Sequence, residues 1–486
     1  MKRYQRVYNG VRLLDGAGPS LKNIQRIDLS AMPMIARMKR RGLQVDLAHF
    51  AKLDVDLTRD MDSLTADVHR MTGHYCNLGS GDQVADLLFK KLGLKQARPQ
   101  LTSSEERESV ADEVLTAIQH EHPVVGLCLN YKELEKLRGT YVRPMPKLAQ
   151  RTAHGVWRMY PNFRTTRVPS GRLSCADPNL LAMPARTERG RDIRKGFITD
   201  PGWVYLSVDE SQIEVRIAAH RSADPNLIKV YEGREDVYSD FATSAFRLPD
   251  KRYKDETGWH YPTVDKMEHR RPSKTCVLAA IYDVTAGGLQ NQMPVICARC
   301  SKPATCPKCE EGKPHNKPAE CVQHDCNHYT PLWVEAKCQT ILNSFYMRYP
   351  GLMRMRINDH NYMRQHGYMV DMWGRVLHVQ AVRSVLQWVV NGALREGANF
   401  PMQSSAQGTI KLVMAQVDDD LVQMKMYGDV VDPLLQVHDE LLMTCREDVV
   451  EEVGELIKYR FETCVKLRVP IEASAVTAPT WGSLPK

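Results

Sequence analysis

Two acidic residues close short apolar runs that lie far apart in the sequence. Asp209 follows Val204-Tyr205-Leu206-Ser207-Val208, and Asp439 follows Leu434-Leu435-Gln436-Val437-His438. A carboxylate at the end of a buried strand is poorly solvated and is repelled by any like neighbour. If the two strands pair, divalent cations bridging both carboxylates relieve that repulsion best, as in two-metal sites whose ions stand about 3.5–4 Å apart. Asp also favours turns, so a pair of ordinary turn residues is the other reading. Between them, Arg270, Lys274, Leu278 and Tyr282 recur every four residues, which in a helix sets them along one slowly drifting face. Arg and Lys one turn apart make a clamp for a phosphate chain, and Pro272 suits the first turn of such a helix. A solvated basic end on a core helix has the same pattern.

A third group is a cysteine cluster. Of thirteen cysteines, six fall in Cys297-x2-Cys300-x5-Cys306-x2-Cys309 and Cys321-x4-Cys326, with His315, His324 and His328 nearby. Two CxxC pairs can each present two thiolates to a tetrahedral Zn²⁺. Lys302, Lys308, Lys313, Lys317 and four prolines leave this stretch too few apolar residues for its own core, so metal would have to supply its folding energy. A loop of reactive thiols is the alternative, and spacing does not say which cysteines share an ion.

The elements that must hold these residues follow from periodicity and punctuation. Residues 34–41, 47–71, 110–119 and 124–141 read as helices, with a capping box at Ser80 and Gln83 and a stop at Gly93. A strand over 203–208 leads into a helix over 211–221. Residues 367–379 read as a hairpin around Trp373-Gly374-Arg375, and 385–425 as a long helix, irregular at Pro401. Strand, tight turn and strand occupy 433–445, before a helix over 448–464 and a last strand near Ile471. The 486 residues imply two to four domains, and 43% hydrophobic with 26% charged residues excludes a mostly disordered chain. A net charge of +8 permits a polyanionic partner without demanding one. No apolar run is long enough to span a membrane. MKRYQRVYNGVRLLDG lacks the apolar core of a secretory signal, so a soluble intracellular chain is expected.

Taken in order, these segments resemble family A DNA polymerases, the bacterial DNA polymerase I type. Residues 208–216 (VDESQIEVR) resemble motif A, Arg270-x3-Lys274-x3-Leu278-x3-Tyr282 motif B, and Gln436-Val437-His438-Asp439-Glu440 motif C. Ser170-Gly171-Arg172-Leu173-Ser174 is similar to the segment before motif A. Arg395, Asn399, Pro401 and Gln403 are similar to the palm helix that tracks the duplex. Asn77-Leu78, Gln83, Lys136-Leu137 and Thr140-Tyr141 are similar to the thumb. The resemblance covers about 27–486 outside the insert, and size and texture suggest a phage-type member.

The resemblance implies an α+β right-hand polymerase fold with helical thumb, antiparallel-sheet palm, helical fingers and a small zinc-binding insert. The corresponding ranges are an N-terminal extension (1–30), thumb (31–155), palm (156–225 and 369–486), fingers (226–294 and 329–368) and insert (295–328). Asp209 and Asp439 would hold two Mg²⁺ ions. Arg270 and Lys274 would meet the triphosphate, with Lys274 a proton donor to the leaving group, and Tyr282 would sit by the nascent pair. Glu214 would be the steric gate against ribonucleotides. His438 would lie near the primer terminus, with Glu440 beside Asp439. Gln212, Tyr238 and Leu278 would line the nucleotide site. Arg172, Arg395, Asn399 and Gln403 would contact primer–template DNA, and Arg186, Arg189, Arg191, Arg194 and Lys195 would follow phosphates. Four departures from the family stand out: Glu210 for a usual Tyr, which sets an extra carboxylate beside Asp209; Leu278 for an aromatic; Tyr238 for a His; and Asp283 for the Gly after Tyr282.

About 26 residues precede the thumb-like segment, too few for a nuclease domain. The expected protein is therefore a cytoplasmic replication polymerase without 3′–5′ exonuclease or 5′-nuclease, in a bacterium or an infected host, with proofreading absent or supplied by a separate chain and with no membrane partner. A single-subunit RNA polymerase and a non-catalytic primer–template binder are the rivals. Glu214 and Glu440 favour DNA synthesis over the first, and intact Asp209, Lys274 and Asp439 argue against the second.

Overall fold

The computed structural model describes residues 21–95, 108–119, 121–185, 187–256, 258–293, 295–297, 329–331 and 333–485. Helix α1 (Leu21–Ser30) leads into α2 (Met32–Arg41), whose Met34, Ile35 and Met38 are buried. The long α3 (Leu47–Thr72) starts where Asp46 accepts from the Ala48 and His49 amides at 2.9 and 3.1 Å, and stops at Gly73 with φ 70°. It packs along α4 (Pro123–Leu137). Between these helices the Ser80 hydroxyl accepts from the Gln83 amide at 3.5 Å, but the Gln83 side chain accepts from Asn77 N–H at 2.9 Å. The expected capping box therefore closes one turn earlier, on Asn77 rather than on Ser80.

Strand β1 (Trp203–Glu210) is followed by α5 (Ile213–Ser222), α6 (Val237–Ala245) and α7 (Arg271–Ile281). Strands β2 (Val295–Cys297) and β3 (Tyr329–Pro331) pair antiparallel and so bring the two ends of the cysteine-rich stretch together. After α8 (Pro350–His366), the expected hairpin forms from β4 (Tyr368–Val370) and β5 (Val376–His378). Helix α9 (Gln387–Gln423) runs unbroken through Pro401. The chain closes with β6 (Val431–Val437), β7 (Glu440–Arg446), α10 (Val450–Thr463) and β8 (Ala473–Ala478).

Strands β6, β7, β1 and β8 form one antiparallel sheet in that order. Because β1 is paired on both edges, it extends through Asp209 and Glu210, two residues past the expected end. Its alternation sets Tyr205, Ser207 and Asp209 on one face and Leu206, Val208 and Glu210 on the other. Helix α10 covers the second face, where a Cβ on Gly454 would stand 3.6 Å from Leu206 and 3.5 Å from Ala475. One core joins this sheet to α2, α3 and α10, and a second joins α5, α6 and α7 to Trp333, Phe345 and Trp373. Helix α9 supplies Ile410 and Val413 to the first, Met402 and Leu412 to the second, and Val390 and Leu394 to a third against α8 and the hairpin. It is the shared spine that fixes sheet and α7 relative to each other. Among the described residues, no helix is long and apolar enough to cross a membrane, and the seven cysteines outside the cluster are free thiols, six of them buried.

Candidate active site

Register brings the carboxylates together. Asp209 stands opposite Glu440, and Glu440 opposite Val437, so β6 and β7 are joined by the two-residue turn His438-Asp439. His438 takes φ 57°, and Glu210 N–H donates to the Asp439 carbonyl at 3.3 Å, which pins the turn beside the end of β1. Burial, reinforced by the charge of Glu214 and partly offset by Arg172, pushes the Asp439 carboxyl up to about 6. Glu440 is buried and accepts from the Ser207 hydroxyl at 2.7 Å. These are hard oxygen donors. Among the described residues, no group of three or more His, Cys, Asp or Glu is arranged to hold a metal ion. Two carboxylates nevertheless fit Mg²⁺, which keeps several waters and takes its remaining ligands from substrate phosphates.

Glu210 corrects an expectation. Strand alternation turns it away from Asp209 to the face that α10 covers, where both of its oxygens are buried without a hydrogen-bond partner. Burial first, then the Asp439 and Asp209 charges, push its carboxyl well above the usual range. Its side chain thus lies in the core on the face opposite Asp209 rather than beside it.

A left-handed Gln212 (φ 58°) starts α5 at Ile213, two residues later than the periodicity implied, and puts Glu214 in its first turn. Glu214 accepts from the Arg172 guanidinium at 2.9 Å; burial raises its carboxyl, and Arg172 opposes that. Arg172 follows Gly171 (φ 74°), where a Cβ would meet the Arg375 guanidinium at 2.6 Å. Arg375 in turn donates to Asp28 at 2.7 Å. The residue expected on the minor groove is thus held on the expected gate.

On α7, Arg270, Lys274, Leu278 and Tyr282 form the open stripe of a helix that is otherwise mostly buried, with Pro272 in its first turn. Arg270 donates through Nε and an Nη to Asp236 at 2.7 and 3.0 Å. Asp236 also caps α6, accepting from the Ser239 amide and hydroxyl at 3.0 and 2.6 Å, and takes the Gln212 amide at 3.2 Å. Burial pushes its carboxyl up, but the Arg270 bonds and charge with the Ser239 donors outweigh this and hold it below the usual value. The Arg270 and Lys274 cations stand 5.3 and 5.6 Å from the centre of the Tyr238 ring. Gln212, Tyr238, Arg270 and Lys274 thereby share one wall. Asp236 was missed by sequence reasoning, although an Asp directly before an apolar helical run is an N-cap signal.

Tyr282 ends α7, and Asp283 adopts φ 57°, the left-handed geometry expected of the Gly it replaces. Its buried carboxylate pairs with Arg356 at 2.5 Å and His360 at 2.8 Å on α8. On α9, Arg395, Asn399 and Gln403 fall on one half-open stripe of a largely buried helix. Arg194, expected to follow phosphates, is instead buried, donating to the Met183 carbonyl at 2.7 Å over the Trp481 ring. Arg186 and Cys300, Cys306, Cys309, Cys321 and Cys326 lie outside the described residues, and of Cys297 only the strand backbone is described.

A sheet that ends in two carboxylates brought together by register, with a basic stripe on another helix of the same scaffold, offers the donor set that metal-assisted chemistry on phosphates requires. The chain belongs to DNA polymerase family A, whose family model matches residues 47–304 and 332–483. It is 30% identical over 458 residues to the thermostable DNA polymerase I of Thermus filiformis, covering 94% of this chain and 48% of that protein. It is likewise 30% identical over 471 residues to DNA polymerase I of Deinococcus radiodurans, covering 96% and 43%. The chain thus spans about half the length of the curated relatives it matches. Among solved structures, the POL domain of Pol1 from M. smegmatis, in complex with DNA primer-template and dNTP, matches with a TM-score of 0.75 at 25% identity, covering 94% of this chain and 70% of that one.

Proposed function

We propose that this chain is a DNA-directed DNA polymerase that adds dNTPs to a primer 3′-hydroxyl. The observation that carries the reading is the convergence of Asp209 and Asp439 at one end of the sheet, with the Arg270–Lys274 stripe fixed on the same scaffold. Family membership, and a solved relative that holds primer-template and dNTP, support it. Residues 31–155 serve as thumb, 156–225 and 369–486 as palm, and 226–294 and 329–368 as fingers.

Asp209 and Asp439 would hold Mg²⁺, which when bound lowers the pKa of the primer hydroxyl and offsets charge developing on the phosphate. Arg270 exchanges its bond to Asp236 for the incoming triphosphate and so orients it in line with the primer end. Lys274, beside it on the Tyr238 ring, hands a proton to the leaving pyrophosphate. Tyr282, fixed through Asp283 to α8, abuts the nascent pair. Glu214, braced by Arg172, fills the space that a 2′-hydroxyl needs. Arg172, Arg395, Asn399 and Gln403 contact the minor groove, whose acceptors are shared by all base pairs. His438 lies at the primer terminus, with Glu440 behind Asp209.

The insert binds Zn²⁺ through Cys297, Cys300, Cys306, Cys309, Cys321 and Cys326; the β2–β3 ladder supports this by holding the two ends of the stretch together. The protein's setting is phage DNA replication in the bacterial or infected-host cytoplasm. The test is extension of a labelled primer–template with Mg²⁺ and either dNTPs or rNTPs. Extension with dNTPs alone supports the reading; extension with rNTPs moves the chain to RNA synthesis, and no extension of either kind refutes it.

A further inference from the structure

The N-terminal half of α9 carries a surface that this site does not use. Trp388 shares an arc of about 80° with Arg395, Asn399 and Gln403, roughly 10 Å along the axis from Arg395 and 22 Å from Gln403. Trp388 is 73% exposed, and just before it Val385 is 98% and Leu386 50% exposed. A lone exposed apolar residue means little. Three within four positions, at the end of the stripe assigned to DNA, form a patch continuous with that interface.

The neighbourhood has matching chemistry. This half of α9 packs on α8 and the β4–β5 hairpin. There Tyr362 and His366 lie 4.3 Å apart, Tyr362 and Tyr368 5.6 Å, and Tyr368 and His378 6.3 Å between ring centres. The exposed Arg383 lies beside them, its guanidinium 3.4 Å from where a Cβ on Gly367 would stand. Half-open rings beside a cation suit single-stranded nucleic acid, because an unpaired base offers a free face while duplex bases already stack on one another. The patch lies at the end of α9 that packs on the third core, whereas Ile410 and Val413 at the other end pack on the sheet, so it extends the DNA stripe away from the paired carboxylates.

We propose that this patch binds the single-stranded template beyond the nascent pair, with Trp388 stacking on an unpaired base. The inference rests on the polymerase reading above. It is tested by fluorescence anisotropy at one fixed salt concentration, with a primer–template carrying an overhang of about ten nucleotides and with the same duplex blunt-ended. Trp388→Ala should weaken overhang binding roughly 5- to 100-fold, the span that losing one base–aromatic stack implies. Blunt-duplex binding and single-turnover incorporation at saturating DNA should stay unchanged, and Trp388→Phe should retain most of the affinity. Equal loss on both DNAs, or loss on neither, overturns the proposal while leaving a wild type that extends primers intact. A wild type that extends no primer overturns both readings.

Discussion

Replacing Asp439 by Asn should make the protein both inactive and more stable. Burial, with the charge of Glu214, raises this carboxyl from 3.8 to about 6. The folded protein therefore keeps a proton that the unfolded chain has already lost between about pH 4 and pH 6, and stability falls as pH rises through that window. A difference of about two units at 1.36 kcal/mol each costs about 3 kcal/mol at pH 7.5 and roughly half of that at pH 5. Asn keeps the shape and removes the charge. Unfolding entropy of about 2.1 cal/mol/K per residue gives roughly 1 kcal/mol/K for a chain of this length, so Tm should rise by about 3 °C at pH 7.5 and about half as much at pH 5. The assay is thermal unfolding in EDTA at both pH values. Millimolar Mg²⁺ should narrow the gap, because the wild type gains a ligand that the variant holds less well. A variant Tm at or below wild type, or a gap that does not shrink at pH 5, would refute the assignment of Asp439 as a charge held at a cost in stability.

Three further outcomes are expected. Glu214→Ala should admit ribonucleotides in single-nucleotide incorporation, and it also releases Arg172; unchanged sugar discrimination would remove Glu214 as the gate. Asp283→Gly keeps the left-handed turn but leaves Arg356 and His360 without their carboxylate, so unfolding in denaturant should show a loss of about 1–3 kcal/mol. A loss within about 0.5 kcal/mol, the range of ordinary surface changes, would contradict the anchoring role. Protein purified without chelator should carry at least one zinc per chain by atomic emission, and none would dismiss the metal reading of the cysteine cluster.

Much of the site was legible because its signals are local and periodic. The four-residue spacing from Arg270 to Tyr282 gave both the helix and its open face. Two apolar runs ending in Asp marked both strand ends that meet, and register then needed only the sheet. Side-chain partners were less legible, since they depend on contacts far apart in sequence. Arg172 rests on Glu214 across 42 residues and Arg270 on Asp236 across 34. Nothing in the sequence distinguished the buried Arg194 from the exposed Arg189 and Lys195. The placement of Glu210 was misjudged for a different reason. Adjacency in sequence suggested adjacency in space, whereas a strand continuing through residue 210 sends neighbours to opposite faces. Asp283 departs from the family residue yet takes a left-handed geometry that a Gly adopts freely and adds a tether to α8, which a motif comparison alone reads only as a mismatch.

The central claim is that Asp209 and Asp439 act as a pair on DNA that the rest of the chain binds. Single-turnover extension and primer–template affinity should be measured side by side for wild type, Asp209→Ala and Asp439→Ala in Mg²⁺. Each substitution should abolish extension while leaving DNA affinity within a few-fold of wild type. Residual synthesis above background by either variant, or loss of binding in step with loss of extension, would contradict the paired-carboxylate centre.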